Sequence, residues 1–200
     1  MRISGGLARG IPLLAPRGDA VRPATDSLRQ AVFSSLGERV AGARFLDLFA
    51  GTGAYGLEAI SRGAAGGVFV EKDARAAACV RRNIEAVCKS AGRGTEGVTV
   101  LQYDAMSATL DAGIPPDLVF IDPPFDIIGV VAPVLFERLA RALASKRDAI
   151  VTLELPGEAV FEPDGWELIK RLREKLQKTE GGGEIGRFIL YGFKIQGEPE

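Results

Sequence analysis

Short apolar segments alternate with helical patterns along most of this chain from Arg44 onward. The apolar segments have the length of strands, and the segments between them carry apolar residues at helical spacing. Such alternation predicts an open, mainly parallel sheet covered by helices on both faces, that is, a doubly wound α/β fold. The predicted strands are RFLDLFA, GGVFVE, VTVLQ, DLVFID and AIVTLEL, and the predicted helices are AYGLEAISRG, Asp73 to Ala91 and Val130 to Ala144.

The composition narrows the kind of protein that this chain can be. Its 200 residues suffice for one domain with a full core, and 46% apolar with 26% charged residues excludes a disordered chain, a collagen and a disulfide-stabilised miniprotein. The chain has no histidine. Catalysis through a histidine base, a histidine-ligated zinc ion or an imidazole proton shuttle is therefore excluded.

Charge is balanced over the whole chain but not at its amino terminus. The net charge is -1, so the field of the whole molecule does not attract nucleic acid or an anionic membrane. In residues 1–30, five arginines stand against two aspartates, which gives +3. Guanidinium groups bind phosphate well, so these arginines suit a nucleic-acid contact, although a solvated surface segment would carry the same charges. The five are Arg2, Arg9, Arg17, Arg22 and Arg29.

The first 22 residues are rich in Gly, Pro and Arg, and their apolar residues are scattered. We predict a short hairpin or irregular arm over residues 1–22, outside the core, followed by a single catalytic domain over residues 23–200. Residues Pro23 to Gly37 predict a helix that Thr25 or Asp26 can cap. Its apolar stripe consists of Leu28, Val32, Phe33 and Leu36.

The cysteines and the longest apolar stretch bear on the compartment. Cys79 and Cys88 lie in one predicted helix, ~13 Å apart along its axis, which exceeds the ~7 Å between Cα atoms that a disulfide allows. Two thiols, no CxxC motif and no apolar leader indicate the cytoplasm. The stretch from Ile127 to Leu135 is far shorter than the ~20 residues of a membrane span. We expect a soluble protein.

A glycine-rich segment follows the first predicted strand. Gly51, Gly53 and Gly56 fit the dinucleotide-binding fingerprint, and Glu71 closes the next strand near the position where a carboxylate binds ribose hydroxyls. The strand before the glycines and the helix after them agree with that interpretation. We therefore predict a nucleoside-containing cofactor here, the alternative being a purely structural turn.

Asp47, on the strand before the glycines, helps to decide which cofactor this is. A carboxylate there would repel the pyrophosphate of NAD, whereas it would stabilise the sulfonium and ammonium groups of S-adenosylmethionine. The alternative is that Asp47 only caps the loop by accepting backbone N–H groups. On charge, S-adenosylmethionine is the favoured cofactor. After the third predicted strand, Asp104 can accept the adenine amino group and the backbone N–H of Ala105 can donate to the ring.

The fourth predicted strand ends in Asp122-Pro123-Pro124-Phe125. The prolines remove backbone donors and fix φ, which leaves neighbouring carbonyl acceptors free. An exocyclic amine of a nucleobase can donate its two N–H groups to the Asp122 carboxylate and the Pro123 carbonyl, which orients its lone pair toward a methyl donor. Phe125 can stack on the base. The alternative is a proline-rich turn in which Phe125 plugs the core.

With DLFAGTG, VFVEKD, QYDA and IDPPF in this order, the chain resembles the class I S-adenosylmethionine-dependent methyltransferases. Within them it is similar to the family that methylates the N2 amine of a guanine in bacterial 16S ribosomal RNA. That narrower resemblance rests on MRISGGLARGIPL, RPATDSLRQAVFSSL and DLFAGTGAYGLEAISRGA.

The resemblance implies a Rossmann-like, seven-stranded sheet with an antiparallel last strand and an added N-terminal hairpin. It implies that Gly51 and Gly53 hold the methionine part of the cofactor, that Glu71 holds the ribose and that Asp104 holds the adenine. Arg22 and Arg29 would belong to an N-terminal motif near the site. It also places a strand within Trp166 to Lys178, although Leu168, Leu172 and Leu176 have helical spacing there. IGRFILYGF is a predicted strand in either case.

The partner expected from this resemblance is 16S ribosomal RNA, either free or within an assembling small subunit. We expect no metal, no membrane and a monomer. Three alternatives remain: an adenine-N6 methyltransferase on DNA or RNA, a nucleotide-dependent oxidoreductase, and a non-catalytic RNA-binding module with the same fold. The adenine-N6 methyltransferase would use the same tetrad. For the oxidoreductase, the chain offers no evident proton donor.

Overall fold

The computed structural model describes residues 1–16, 26–110, 113–156, 159–173 and 188–195. Within these residues four α-helices alternate with strands for most of the chain. In chain order the elements are α1 (Asp26–Leu36), a single 3-10 turn (Gly37–Val40), β1 (Arg44–Leu48), α2 (Ala54–Ser61), β2 (Gly66–Val70), α3 (Ala74–Ser90), β3 (Val98–Leu101), β4 (Leu118–Ile121), α4 (Ile128–Ala142), β5 (Ile150–Pro156), β6 (Trp166–Arg173) and β7 (Phe188–Ile195).

The strands form one sheet in the order β3-β2-β1-β4-β5-β7-β6. The first five strands run parallel, which confirms the predicted α/β fold. Strand β7 lies antiparallel between β5 and β6. The chain winds outward from β1 to β3 on one side and continues with β4 on the other, so the strand order reverses between β1 and β4. Doubly wound sheets bind their ligands at the carboxyl ends of the strands next to such a reversal.

Helices cover both faces of the parallel part of the sheet. Alternate residues of β4 enter two different cores: Phe120 packs among residues of α1, α2 and α3, whereas Val119 and Ile121 pack against α4. All four residues of β4 are therefore buried, as the continuous apolar run predicts. On the first face Phe45 meets Phe69 edge to face, with ring centroids 5.1 Å apart.

The predicted helices are found where the sequence patterns place them. Helix α1 occupies Asp26–Leu36, and its apolar stripe is buried. Thr25, one of the two predicted caps, lies outside the described residues. Helix α3 starts after Asp73, whose side chain accepts the N–H groups of Arg75 and Ala76. It carries both cysteines as free thiols: Cys79 and Cys88.

The amino-terminal segment corrects one expectation. The predicted hairpin is present over residues 1–16, where Arg2 and Pro12 form an antiparallel bridge. It was expected to lie outside the core, and that prediction is wrong: Ile3, Ala8 and Leu13 are buried among residues of α1 and α2. Scattered apolar residues in an irregular segment have no period from which burial can be predicted.

Residues Trp166–Arg173 form strand β6, so the leucine spacing did not indicate a helix. Leu168 and Leu172 lie on a strand with a register irregularity after Leu168. Pairing with β7 along seven residue positions outweighs the local pattern. The remainder of the segment, from residue 174 to 178, lies outside the described residues.

Candidate active site

The predicted site residues gather at one edge of the sheet. Moving along the carboxyl ends in sheet order, the chain places Asp104 after β3, Glu71 after β2, the glycine loop after β1 and Asp122 after β4. The glycine loop and Asp122 stand on either side of the strand-order reversal. Residues more than 70 positions apart in the chain are thereby brought to one edge of the sheet, as the strand pattern predicted.

The glycine loop (residues 49–53) needs backbone conformations that favour glycine. Gly51 has φ 56° and Gly53 has φ 81°, both in the left-handed region. Phe49 adopts φ 60° without being glycine, which costs about 1 to 3 kcal/mol. Gly56, one turn into α2, is required for another reason: a Cβ there would come within 2.4 Å of Phe69 and 2.5 Å of Phe45. The third glycine therefore lets the helix pack closely on the sheet.

Carboxylates hold this loop in place. One carboxylate oxygen of Asp47 accepts the N–H of Gly56, in the first turn of α2, at 2.9 Å, so Asp47 fixes the helix that follows the loop. Glu71 accepts the N–H of Gly51 at 2.7 Å and that of Asp73 at 2.8 Å. Burial raises the pKa of Asp47 to about 8, against the opposing hydrogen bond from Gly56 and with a further increase from the charge of Glu71.

Asn83 ties the glycine loop to the amino-terminal hairpin, and the sequence analysis missed it. Its amide donates to the carbonyls of Thr52 and Leu14, at 3.0 Å each, and accepts the N–H of Leu14 at 2.8 Å. The side chain is 1% exposed. A polar residue on the apolar stripe of α3, next to Ile84, was the signal that could have revealed it.

The tetrad after β4 carries acceptors at the carboxyl edge of the sheet. Within the described part of the chain, neither the Asp122 carboxylate nor the Pro123 carbonyl accepts a hydrogen bond, whereas the Pro124 carbonyl accepts one from Ile127 at 3.2 Å. Burial raises the pKa of Asp122 to about 7, and the nearby charge of Asp47 adds to the increase. Phe125 is partly buried. Two adjacent acceptors therefore lie beside the glycine loop.

The turn after β3 carries the predicted adenine contacts. Asp104 is exposed, and one of its carboxylate oxygens accepts the N–H of Met106 at 2.8 Å. Ala105 is buried, and its N–H makes no hydrogen bond to any residue that the structure describes. Arg138 on α4 donates to the carbonyls of this turn. No sequence pattern distinguished Arg138 from other charged residues of α4.

Two further polar residues lie buried beside the tetrad and were missed by the sequence analysis. The hydroxyl of Tyr55 donates to Glu154 at 3.2 Å, and its ring stacks on Phe120. Burial, together with the charges of Glu154 and Asp122, raises the pKa of Tyr55. Glu154 continues β5 at the level of Asp122, because Leu153 pairs with Ile121.

The five arginines of the amino terminus do not share one environment. Arg2 and Arg9 are exposed, and Arg17 and Arg22 lie outside the described residues. The prediction that Arg29 contacts RNA is wrong, because its side chain is fully buried.

Arg29 has an internal role. It donates to Asp26 at 2.6 Å and to the carbonyl of Arg2 at 2.8 Å, and it lies 3.9 Å from the buried carboxylate of Glu58. A buried guanidinium paired in this way stabilises the hairpin against α1 and α2 and cannot reach a phosphate.

The described residues contain neither a membrane-spanning helix nor a metal-binding cluster. No helix there is long and apolar enough to cross a membrane. No cluster of three or more acidic or cysteine side chains there is arranged to hold a metal ion.

Comparison with known proteins assigns the chain to a family. The family described as Conserved hypothetical protein 95 matches residues 1–180. The chain belongs to this family. YlbH of Bacillus subtilis (strain 168) is 33% identical over 96% of this chain and 95% of its own length. The family membership indicated by the sequence motifs is thereby confirmed, while the guanine N2 target stays a prediction.

Two other similar proteins come from Escherichia coli. Ribosomal RNA small subunit methyltransferase D of strain K12 is 38% identical over 125 residues, which are 62% of this chain and only 60% of that protein. The solved structure of the protein yhhF superimposes with a TM-score of 0.71 at 31% identity, covering 98% of this chain and 99% of that one. The described part of the chain therefore has a fold similar to that of yhhF.

Proposed function

We propose that this protein transfers a methyl group from S-adenosylmethionine to the exocyclic N2 amine of a guanine in 16S ribosomal RNA. The observation that carries the proposal is the pair of acceptors at the strand-order reversal, the Asp122 carboxylate and the Pro123 carbonyl, which bind no described residue. The Escherichia coli relative is named as a ribosomal RNA methyltransferase, which supports the substrate class.

The two acceptors suit the chemistry of an exocyclic amine. Its nitrogen is a poor nucleophile because the lone pair is delocalised into the ring. Donating one N–H to Asp122 and the other to the Pro123 carbonyl draws the nitrogen toward tetrahedral geometry and turns its lone pair out of the ring plane. Phe125 stacks on the base and fixes its plane, and Pro124 keeps the turn rigid.

Asp122 also suits the proton that this reaction releases. As the new N–C bond forms and the S–C bond breaks, the nitrogen gains positive charge and then loses a proton. The charge of Asp122 stabilises the first change. A carboxylate whose pKa is about 7 can then accept the proton near neutral pH, so no histidine is needed.

The carboxylates of Asp47, which is buried, and Asp122, which is half-buried, fit a cationic cofactor. Asp47 and Asp122 form no ion pair with any described lysine or arginine, and burial raises the pKa of both. A sulfonium and an ammonium group would supply the missing positive charge, whereas the pyrophosphate of NAD would add negative charge. When bound, S-adenosylmethionine supplies the electrophilic methyl group.

We assign the remaining cofactor contacts by position along the edge. Gly51 and Gly53 leave room for the methionine part, Glu71 accepts the ribose hydroxyls, and Asp104 with the Ala105 N–H binds adenine. Glu71 already accepts the N–H of Gly51. This hydrogen bond links the carboxylate assigned to the ribose with the loop assigned to the methionine part.

We propose that residues 1–22 form the RNA-contacting arm of a monomeric enzyme whose catalytic domain spans residues 23–200. Arg2 and Arg9 are exposed, and Arg17 and Arg22 follow in the same segment. Replacing Arg2, Arg9 and Arg17 together by alanine should raise the RNA KM and flatten its salt dependence, because phosphate contacts release counterions, while cofactor affinity stays unchanged. An unchanged salt slope in the triple variant would remove the arm from the RNA interface.

The decisive experiment identifies the methylated nucleoside. The protein is incubated with methyl-labelled S-adenosylmethionine and, in parallel, free 16S RNA or small ribosomal subunits lacking the modification. The RNA is then digested to nucleosides. Label in N2-methylguanosine supports the proposal, and the more active substrate shows whether assembly is required. Label in N6-methyladenosine would replace guanine by adenine as the target, and no label in either substrate would contradict RNA methylation.

A further inference from the structure

The turn after β3 is fixed from two directions, and the first is internal. The carbonyl of Asp104 accepts the N–H groups of Ser107 and Ala108, both at 2.9 Å. One oxygen of the Asp104 side chain accepts the N–H of Met106 at 2.8 Å, which leaves the other oxygen for a ligand. In a trans peptide the N–H points opposite to the C=O, so the N–H of Ala105 is directed out of the turn.

The second restraint comes from α4, on the far side of the turn. Arg138 donates to the carbonyls of Ala105 at 3.2 Å and Met106 at 2.6 Å, and also to the carbonyl of Ala108. One guanidinium group therefore satisfies three carbonyls of a single turn. Its planar fork can do so in one orientation, which a flexible ammonium group cannot reproduce.

We infer that Arg138 is a positioning residue for nucleobase selection in the cofactor site, holding the turn of residues 104–108 so that Asp104 accepts and the Ala105 N–H donates. This inference rests on the proposed function, since it takes these two groups as the adenine contacts. Arg138 acts through the turn and touches no ligand itself. Without it, three carbonyls lose their donors and the turn is free to rotate them toward water.

The Asp104 carboxylate and the Ala105 N–H would contact the edge of the purine base on which adenine and hypoxanthine differ. Adenine offers an amino donor at C6 and an acceptor at N1, which match Asp104 and the Ala105 N–H. Hypoxanthine offers a carbonyl and an N–H at these positions, so acceptor faces acceptor and donor faces donor. Once the bound base covers them, polar groups that face the wrong partner can discriminate by a factor of 100 or more, as hydrogen-bonding sites do.

The test compares S-adenosylhomocysteine with S-inosylhomocysteine by calorimetric titration. The wild-type protein should bind the adenosyl compound roughly 100-fold more tightly. Arg138→Met, which keeps the apolar stem and removes the fork, should reduce the ratio to less than about 10-fold, mainly by losing affinity for the adenosyl compound. Arg138→Lys should fall between them, because an ammonium group satisfies fewer of the three carbonyls.

Arg141→Met is the matched control. Arg141 lies one turn later on α4, pairs with Glu137 on the surface and has a side chain that is 75% exposed. Its variant should keep the wild-type ratio. If Arg138→Met and Arg138→Lys both keep that ratio, the inference is overturned while the proposed function stands. If Arg138→Met does not fold, the Arg138→Lys ratio decides alone. Failure of the wild-type protein to bind S-adenosylhomocysteine would overturn the proposed function and this inference with it.

Discussion

The polar groups on the two sides of the strand-order reversal differ in whether they already have hydrogen-bond partners. On the glycine-loop side, Asp47, Glu71 and Asn83 each bind backbone groups of the loop or of the helix that follows it. On the tetrad side, the Asp122 carboxylate and the Pro123 carbonyl bind no described residue. In the first region these side chains already hold backbone groups, although Asp47 has no cationic partner among the described residues, whereas the second region has hydrogen-bond acceptors left over.

This difference indicates that the glycine-loop side is preorganised for the cofactor, whereas the tetrad side is left to recognise the substrate. A loop whose N–H groups are already held costs little to order when the cofactor binds, so more of the binding energy appears as affinity. Acceptors without partners carry a cost in the free protein that a ligand with two N–H groups removes. We therefore expect substitutions on the tetrad side to reduce catalysis and substitutions on the loop side to reduce stability.

The largest effect should come from Asp122. Asp122→Ala should lower kcat by ~100 to 1000-fold, ~3 to 4 kcal/mol, because the amine loses the acceptor that orients it and stabilises its growing charge. Folding should survive, since no described residue depends on this carboxylate, and cofactor binding should survive at reduced affinity because Asp47 still offers a carboxylate to the cationic groups. Single-turnover methyl transfer at saturating cofactor measures the step directly.

Two further variants sharpen that result. Asp122→Asn keeps the shape and one acceptor but loses the charge: substantial activity would show that geometry dominates, and activity as low as that of Asp122→Ala would show that charge dominates. Asp126→Ala, at an exposed carboxylate in the same segment, should behave as wild type. A near-wild-type rate in Asp122→Ala would mean that the tetrad is only a turn.

The next effect tests the loop side through packing. Gly56→Ala places a methyl group 2.4 Å from Phe69 and 2.5 Å from Phe45, so α2 must move away from the sheet. We expect a loss of about 3 kcal/mol in the free energy of unfolding, measured by urea denaturation. Gly129→Ala on α4 meets nothing within 4 Å and should be neutral or slightly stabilising. Equal stabilities of the two variants would contradict the close packing at Gly56.

The sequence predicts those parts of the structure that depend on a repeating pattern or on a residue's place at the end of a strand. It does not predict roles that depend on tertiary contacts. The strand and helix alternation has a clear period, and the rule for carboxyl ends then places Asp104 and Asp122 at one edge without knowledge of any contact. The strained φ of Phe49 and the amide contacts of Asn83 depend on which loops meet in space, which no local pattern contains.

The arginines show the same limit for charge. Arg2 and Arg29 count equally in a net charge of +3, yet one is exposed and the other is buried against Glu58. Burial of Arg29 follows from its place beside the apolar stripe of α1 and from a carboxylate 29 residues later in the chain. A count of charges predicts the electrostatic field around a segment, but it does not predict which group each charge pairs with.

A smaller effect should follow when the loop loses its tie to the hairpin. Asn83→Ala leaves the carbonyls of Thr52 and Leu14 and the N–H of Leu14 without their partner, at a cost of about 2 kcal/mol. Amide hydrogen exchange at Leu14 should accelerate, and S-adenosylhomocysteine should bind less tightly. Arg82→Ala, on the exposed side of the same helix, is the control. Unchanged exchange at Leu14 would show that the hairpin is held without Asn83.

The last effect is a pH dependence of the ligand-free protein, set mainly by Asp47. Burial raises the pKa of Asp47 to about 8 from 3.8 in the unfolded chain. Between these values the folded protein holds a proton that the unfolded chain has released, so stability must fall as pH rises from about 4 to 8. Asp122, whose pKa is about 7, adds to the same trend.

Asp47→Asn isolates the contribution of Asp47, because the amide oxygen can still accept the N–H of Gly56. Thermal unfolding from pH 5 to pH 8.5 should show a falling Tm in the wild-type protein and a flatter profile in Asp47→Asn. Removing the charge of Asp47 also relieves Asp122 of a repulsion, so the residual slope should shift to lower pH. A cationic ligand should flatten the wild-type profile in the same way, because its charge favours both ionised carboxylates. A Tm that stays constant or rises over this range in the ligand-free protein would show that the loop side is not burying an uncompensated carboxylate.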